Sequence, residues 1–216
     1  MMSRVNSQSL GEEIANAISH GVGTLLSVAG TVVAIVYACF VSDAMGVVSA
    51  SLYGFSLILL YCVSTIYHSL ANNRAKKVFQ VLDHCSIFIL ILGTDIPVYL
   101  SLIRGPLGWA MFGIATAITT FGIVLNSINL NRFKKLSMIL YILMGWIVVV
   151  ALWKIIQLVP PSGMYFLVLG GLMYTIGIIF YKMKNIKFMH SVWHLFVLGG
   201  SILHYFFVLF YTLPLK

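Results

Sequence analysis

The chain has 216 residues, of which 61% are hydrophobic and 8% charged, and its mean hydropathy is +1.03. Polar residues this sparse cannot coat a water-soluble globule, so the chain must present apolar surface to lipid, and the unit of its fold is the membrane span. Thirteen Lys+Arg against five Asp+Glu leave a formal charge of +8; no DNA- or RNA-binding pattern accompanies it, which excludes nucleic acid and points to the cation excess of cytoplasmic loops.

Residues 1–19 form a polar start ending in "EEIANAIS", whose apolar residues keep helical spacing behind two acids. This segment is expected to lie along the cytoplasmic interface. The first apolar run, 20–41, is too long for the hydrophobic stretch of a cleaved signal peptide, and none is expected. Six further runs follow near 47–68, 80–102, 106–127, 137–158, 163–181 and 188–211. Only helices and closed barrels satisfy their backbone in lipid, and unbroken runs without strand alternation favour helices. The expected fold is an all-α, seven-transmembrane-helix bundle, a single domain over 1–216.

The connections alternate in charge. Arg74, Lys76 and Lys77 follow the second run, Arg132, Lys134 and Lys135 the fourth, and Lys182, Lys184 and Lys187 the sixth. The opposite connections hold only Arg104, with Lys154 near the end of the fifth run and Lys216 at the C-terminus. Excess cations stay inside, so the N-terminus is expected in the cytoplasm and the C-terminus outside. Cys39, Cys62 and Cys85 are odd in number and lack CxxC spacing, and read as buried small side chains in a reduced setting.

Ionisable side chains inside a membrane are costly and therefore functional candidates. His68 ends the second run, Asp83 and His84 open the third, and His190 and His194 open the seventh. That topology brings them to one layer at the cytoplasmic face, which His20 also enters. Residues four apart share a helix face about 6 Å apart, close enough for two imidazoles to grip one ion. His68 completes a three-histidine set that leaves a fourth tetrahedral position open, the arrangement of a catalytic zinc. Asp83 is the natural partner of a water there. Ser64, one turn before His68, either bonds its own helix backbone or faces a ligand. His20 and His84 are expected to make polar contacts around the set or at the interface.

"EEIANAISHGVG", "STIYHSL", "LDHCSIFILILGT", "GGLMYTIGIIFY" and "HSVWHLFVLGGS" together resemble the bacterial hemolysin III branch of the progestin and adipoQ receptor (adiponectin-receptor-like) superfamily, from residue 12 to about 204. The resemblance implies seven helices with the N-terminus cytoplasmic, a bacterial cell-membrane location, and zinc held by His68, His190 and His194 with Asp83 at its water. One departure stands out: the branch reads G-T-Y-x-P where this chain has Gly93-Thr94-Asp95-Ile96-Pro97.

The residues alone point to zinc with an open position. With the resemblance, the expected activity is a ceramidase-like, zinc-dependent hydrolase of a lipid amide or ester, with membrane lipid as its partner and Asp83 and Ser64 as catalytic residues. The alternatives are a lipid-state sensor in which zinc is a structural clamp, a hemolysin-type pore-former, and a transporter; the last is disfavoured by sparse midplane charge. Asp95 lies about 18 Å beyond Asp83 and His204 about 15 Å beyond His194 by helical rise, so the two reach one depth. They are expected to meet directly or through one water; otherwise Asp95 bonds local hydroxyls such as Thr94 while His204 reaches the outer interface.

Overall fold

Among the described residues, 8–214 of the chain in this computed structural model, every regular element is helical. Residues 1–7 of the polar start, and Leu215 and Lys216, lie outside that range. Helix α1 spans Leu10–Val41 and opens on a capping box, in which the Ser9 side chain accepts from the Glu12 N–H and Glu12 reaches back to Ser9. Residues 10–19 are therefore the first turns of the same helix. At 32 residues the helix is about 48 Å long against a hydrocarbon core of about 30 Å, so it is longer than one crossing needs.

Helix α2 (Ala44–Ser69) starts on Asp43 and α3 (Arg74–Ile96) on Asn73, each as a side-chain cap. Pro97 cannot donate to residue 93, and α3 widens there into a π-helix over Pro97–Ile103. Helix α4 (Gly105–Trp146) is followed by a 3-10 turn (Ile147–Ala151) and a short α5 (Leu152–Leu158). Helix α6 spans Pro161–Lys182, and α7, Met189–Phe207, also ends in a π-helix, Val208–Thr212.

Six of these helical stretches are long and apolar enough to cross a membrane, where the sequence predicts seven. The difference lies in residues 105–158, one helical stretch of 54 residues that holds both the fourth and the fifth predicted runs. Asn129 (φ −162, ψ 92) is not helical, and its side chain accepts from the Arg132 N–H at 3.0 Å, as a residue does when it starts a new helix. The chain doubles back there. Ser137 donates to Asn126 at 2.6 Å and the Thr119 hydroxyl lies 3.9 Å from the Met144 sulfur. On a straight helix those pairs would be about 16 and 37 Å apart.

Apolar residues cover the outside, Phe40 being 84% and Ile128 71% exposed, as lipid requires. Close packing inside relies on small residues. A Cβ at Gly122 would strike the Phe88 ring, and one at Gly23 the Tyr61 ring. Helix α1 packs on α2 and α7, α3 on α2 and α4, and α6 on α7, whereas α4 and α6 barely touch. The three cysteines are free, but only Cys85 is buried; Cys62 is half-buried and Cys39 exposed, which corrects the expectation of three buried side chains.

Candidate metal centre

The last turn of α2 and the first turns of α7 bring His68, His190 and His194 together. One ring nitrogen from each lies within 4.8 Å of the others, so the group can hold a metal ion. An ion about 2 Å from each of three tetrahedral nitrogens holds them roughly 3.3 Å apart, so the rings need close by no more than about 1.5 Å. His68 and His194 are buried and His190 is half-buried.

For His68 and His194 the hydrogen bonds point to the nitrogen left free. His68 donates from Nδ1 to Glu13 Oε2 at 2.7 Å. Ser19 uses its one proton on the Asn16 carbonyl, so its oxygen accepts from His194 Nδ1 at 3.2 Å. A neutral imidazole that donates from Nδ1 keeps a lone pair on Nε2. Nε2 of both His68 and His194 is buried without a partner. These orphaned lone pairs, each oriented by a bond on the far side of the ring, fit a cation with nitrogen ligands.

The orienting residues come from α1. Glu13 also accepts from Lys76 Nζ at 2.8 Å, and Lys76 reaches on to the Leu70 carbonyl that ends α2. Asn16, fully buried, sits 3.4 Å from His68 Nδ1 and accepts from Ser191 of α7 at 2.6 Å. Glu12 takes the backbone N–H of Phe188, whose left-handed φ of 64° turns the chain into α7. Reading "EEIANAIS" as an interfacial helix missed Glu13, Asn16 and Ser19. The signal was a polar stripe, Glu13, Asn16 and His20 at i, i+3 and i+7, on an otherwise apolar helix.

His20 is not peripheral. It stacks on His194 with ring centroids 3.5 Å apart, and neither of its nitrogens has a partner. Asp83, buried, lies outside the three-histidine group, with Oδ2 3.7 Å from His84 Nδ1; His84 itself donates to the Gln80 carbonyl of its own helix. Ser64 is buried one turn before His68.

Asp83, His20 and His84 line one end of a cavity of about 160 Å³ that continues to Asp95 and His204. A single water needs roughly a tenth of that space. The walls are largely apolar, with Lys134 at one point. Nearby, the positive charge of Lys134 holds the Lys184 ammonium below its usual range. Gly145 of α4 and Gly171 of α6 also line the cavity, and a Cβ on either would meet nothing within 4 Å.

The expected contact between Asp95 and His204 is not made. His204 donates from Nε2 to the Leu167 carbonyl at 3.1 Å, and Asp95 Oδ2 has no hydrogen-bond partner. The alternative fares no better: Thr94 bonds the Leu90 carbonyl of its own helix, and His204 is buried rather than at an interface. Asp95 lies in the regular part of α3, before Pro97, and helical rise fixes its depth but not the direction its side chain faces.

A family model described as Haemolysin-III related matches residues 8–205. The chain is 42% identical to Hemolysin-3 of Bacillus cereus, over 94% of this chain and 93% of that protein. It is 40% identical to the Hemolysin-3 homolog of Bacillus subtilis (strain 168), over 93% and 94%. The human monocyte to macrophage differentiation factor is 26% identical over 74% of this chain and 68% of its own. No solved structure matches the chain.

Proposed function

The chain belongs to the haemolysin-III-related family, and on that footing we propose that this multi-pass protein of the bacterial cell membrane is a zinc-dependent hydrolase of a lipid amide or ester. In this reading the chain crosses the membrane seven times, with the break at Asn129 joining two antiparallel crossings. The N-terminus and the histidine layer lie on the cytoplasmic side, where the cationic connections gather.

The observation that carries the reading is the pairing of three convergent imidazoles, two with free buried lone pairs, with a largely apolar cavity lined by His20, which stacks on His194. A structural clamp alone needs no cavity. Zinc bound by His68, His190 and His194 would polarise a carbonyl and lower the pKa of water. Asp83 accepts the proton of the attacking water, at the end of the cavity it lines. Ser64 donates a hydrogen bond to the substrate carbonyl oxygen. Glu13 and Ser19 hold the imidazoles in the tautomer that leaves Nε2 free. The apolar walls take the acyl chain and exclude bulk water, and the weak seam between α4 and α6 lets a chain enter from the bilayer.

A second reading, a lipid-state sensor with zinc as a structural tie, is favoured by the way the triad joins α2 to α7. One experiment separates them: metal analysis of purified protein, then incubation with a panel of ceramides and acyl lipids and mass spectrometry for released fatty acid. Stoichiometric zinc with fatty-acid release that His194→Ala abolishes supports the hydrolase. Zinc without release from any lipid supports the sensor, and absence of zinc sinks both.

A further inference from the structure

The cavity's far end is not apolar. Asp95 occupies the last turn of α3 and His204 the last turn of α7, at 7% and 8% exposure. Both line the cavity that begins at Asp83 and His20. His204 spends its Nε2 proton on the Leu167 carbonyl, so the neutral ring keeps an acceptor lone pair on Nδ1, and that atom is buried without a partner. Asp95 Oδ2 is likewise buried without a well-formed hydrogen bond, its one neighbouring donor being the buried hydroxyl of Tyr99, one turn further on.

Two acceptors left short of partners in one apolar space are costly, and a native structure keeps such groups when something meets them. The backbone marks the place as well. Each helix widens into a π-helix just past these residues, at Pro97 and at Val208, and the two π-segments pack together. Such insertions gather at functional sites. Gly170 of α6 has no side chain because His204 fills the space where its Cβ would sit, which fixes the imidazole against the cavity wall.

We propose that Asp95 and His204 form a second polar site that binds a hydrogen-bond-donating group, hydroxyl or amino, carried on the far end of a long-chain ligand whose other end lies at the histidines. This rests on the reading of the cavity as an acyl-chain site. The occupant carries a donor because His204 Nδ1 accepts and a carboxylate that meets the one proton of Tyr99 still has lone pairs to spare. It is long because helical rise sets Asp95 about 18 Å beyond Asp83 and His204 about 15 Å beyond His194. An unsubstituted chain would leave both acceptors short of partners, so the site discriminates against it.

The test uses the full chain in nanodiscs after zinc removal with a chelator, so that it does not depend on catalysis. ω-Hydroxy and ω-amino fatty acids and their unsubstituted parents of matched length compete for a fluorescent fatty acid. The wild type should prefer one of the substituted chains by at least about tenfold at the length that spans the cavity. Asp95→Leu should reverse the preference; Asp95→Asn, which keeps shape and an acceptor, should reduce it and serves if the leucine variant does not fold. A hydroxyl preference identifies an alcohol and an amino preference an amine. Equal or weaker binding of both substituted chains by the wild type, or a preference unchanged in the variants, overturns the proposal. Selective binding by a protein that hydrolyses no lipid upholds this site and sinks the hydrolase.

Discussion

Glu13 offers the sharpest test of how the proposed metal centre is held. Its carboxylate accepts from His68 Nδ1 at 2.7 Å, on the side of the ring opposite the free Nε2. Glu13→Gln keeps an acceptor of the same size but removes the charge. A charge-assisted bond is worth about 1.5–3 kcal/mol and a neutral one about 0.5–1.5, so the change costs about 1 kcal/mol of zinc affinity, roughly fivefold. Glu13→Ala removes the bond and frees the ring to turn, and the expected loss is about 10–100-fold, the usual cost of losing a residue that orients a metal ligand. Glu12→Gln is the control. Glu12 bonds Ser9 and the Phe188 N–H and touches no histidine, so its loss should lower the melting temperature without a comparable loss of zinc affinity. The assay is zinc competition against a chromophoric chelator in detergent, with thermal unfolding in parallel. If the Gln and Ala variants of Glu13 bind zinc like wild type, or Glu12→Gln weakens it as much, α1 merely packs against the site.

The double variant His190→Ala, His194→Ala should lose zinc outright and unfold at a lower temperature, because the metal then no longer ties α7 to α2; full zinc content would refute the ligand set. Asp83→Asn should retain zinc and lose fatty-acid release, and loss of zinc with it would make the carboxylate a ligand. A reporter active only outside the cytoplasm should work at the C-terminus and fail in the 182–187 connection. The exposed Arg104–Asp43 pair, 2.8 Å apart, holds the Asp43 carboxyl below its usual range chiefly through the hydrogen bond from Arg104. Its small contribution, under about 1 kcal/mol, is present above the usual aspartate pKa and disappears as pH falls through the depressed value; Arg104→Met should flatten that acid limb of the melting profile.

The spans were readable because lipid leaves the backbone few options, and an apolar run of the right length has little choice but to be a helix. What escaped was set by single residues. Around Asn129, "NLNRFKK" reads as a loop from its charges, yet Arg, Lys and Leu are good helix formers, so helix continues on both sides of one extended residue. Pro97 was visible, but whether a proline kinks, ends or widens a helix depends on what packs around it. At the candidate metal centre the convergence of the three histidines was legible from spacing and depth. Glu13, Asn16 and Ser19 were not, since nothing in the sequence says that α1 packs against both α2 and α7, and two acids at a helix start already have an explanation in the helix dipole.

Lys76 tests that arrangement from the opposite sign. It shares Glu13 with His68, its ammonium 2.8 Å from Oε1 while the imidazole holds Oε2. The ion pair is neutral in itself, so it leaves the charge of a divalent ion to be met by Asp83 and one anion from solvent or ligand. Removing the lysine unbalances the pair in favour of the metal: the carboxylate pulls harder on the His68 proton, which strengthens Nε2 as a donor, and a positive charge about 10 Å from the ion disappears. At an effective dielectric of 20 that repulsion is about 3 kcal/mol, and water and salt around a partly exposed ammonium reduce it to about 1. Lys76→Met should therefore bind zinc roughly fivefold more tightly, while the protein melts lower because the Leu70 carbonyl at the end of α2 loses its donor. If the variant instead loses zinc as Glu13→Ala does, the pair acts as one structural clasp, and the carboxylate's charge is not what orients His68.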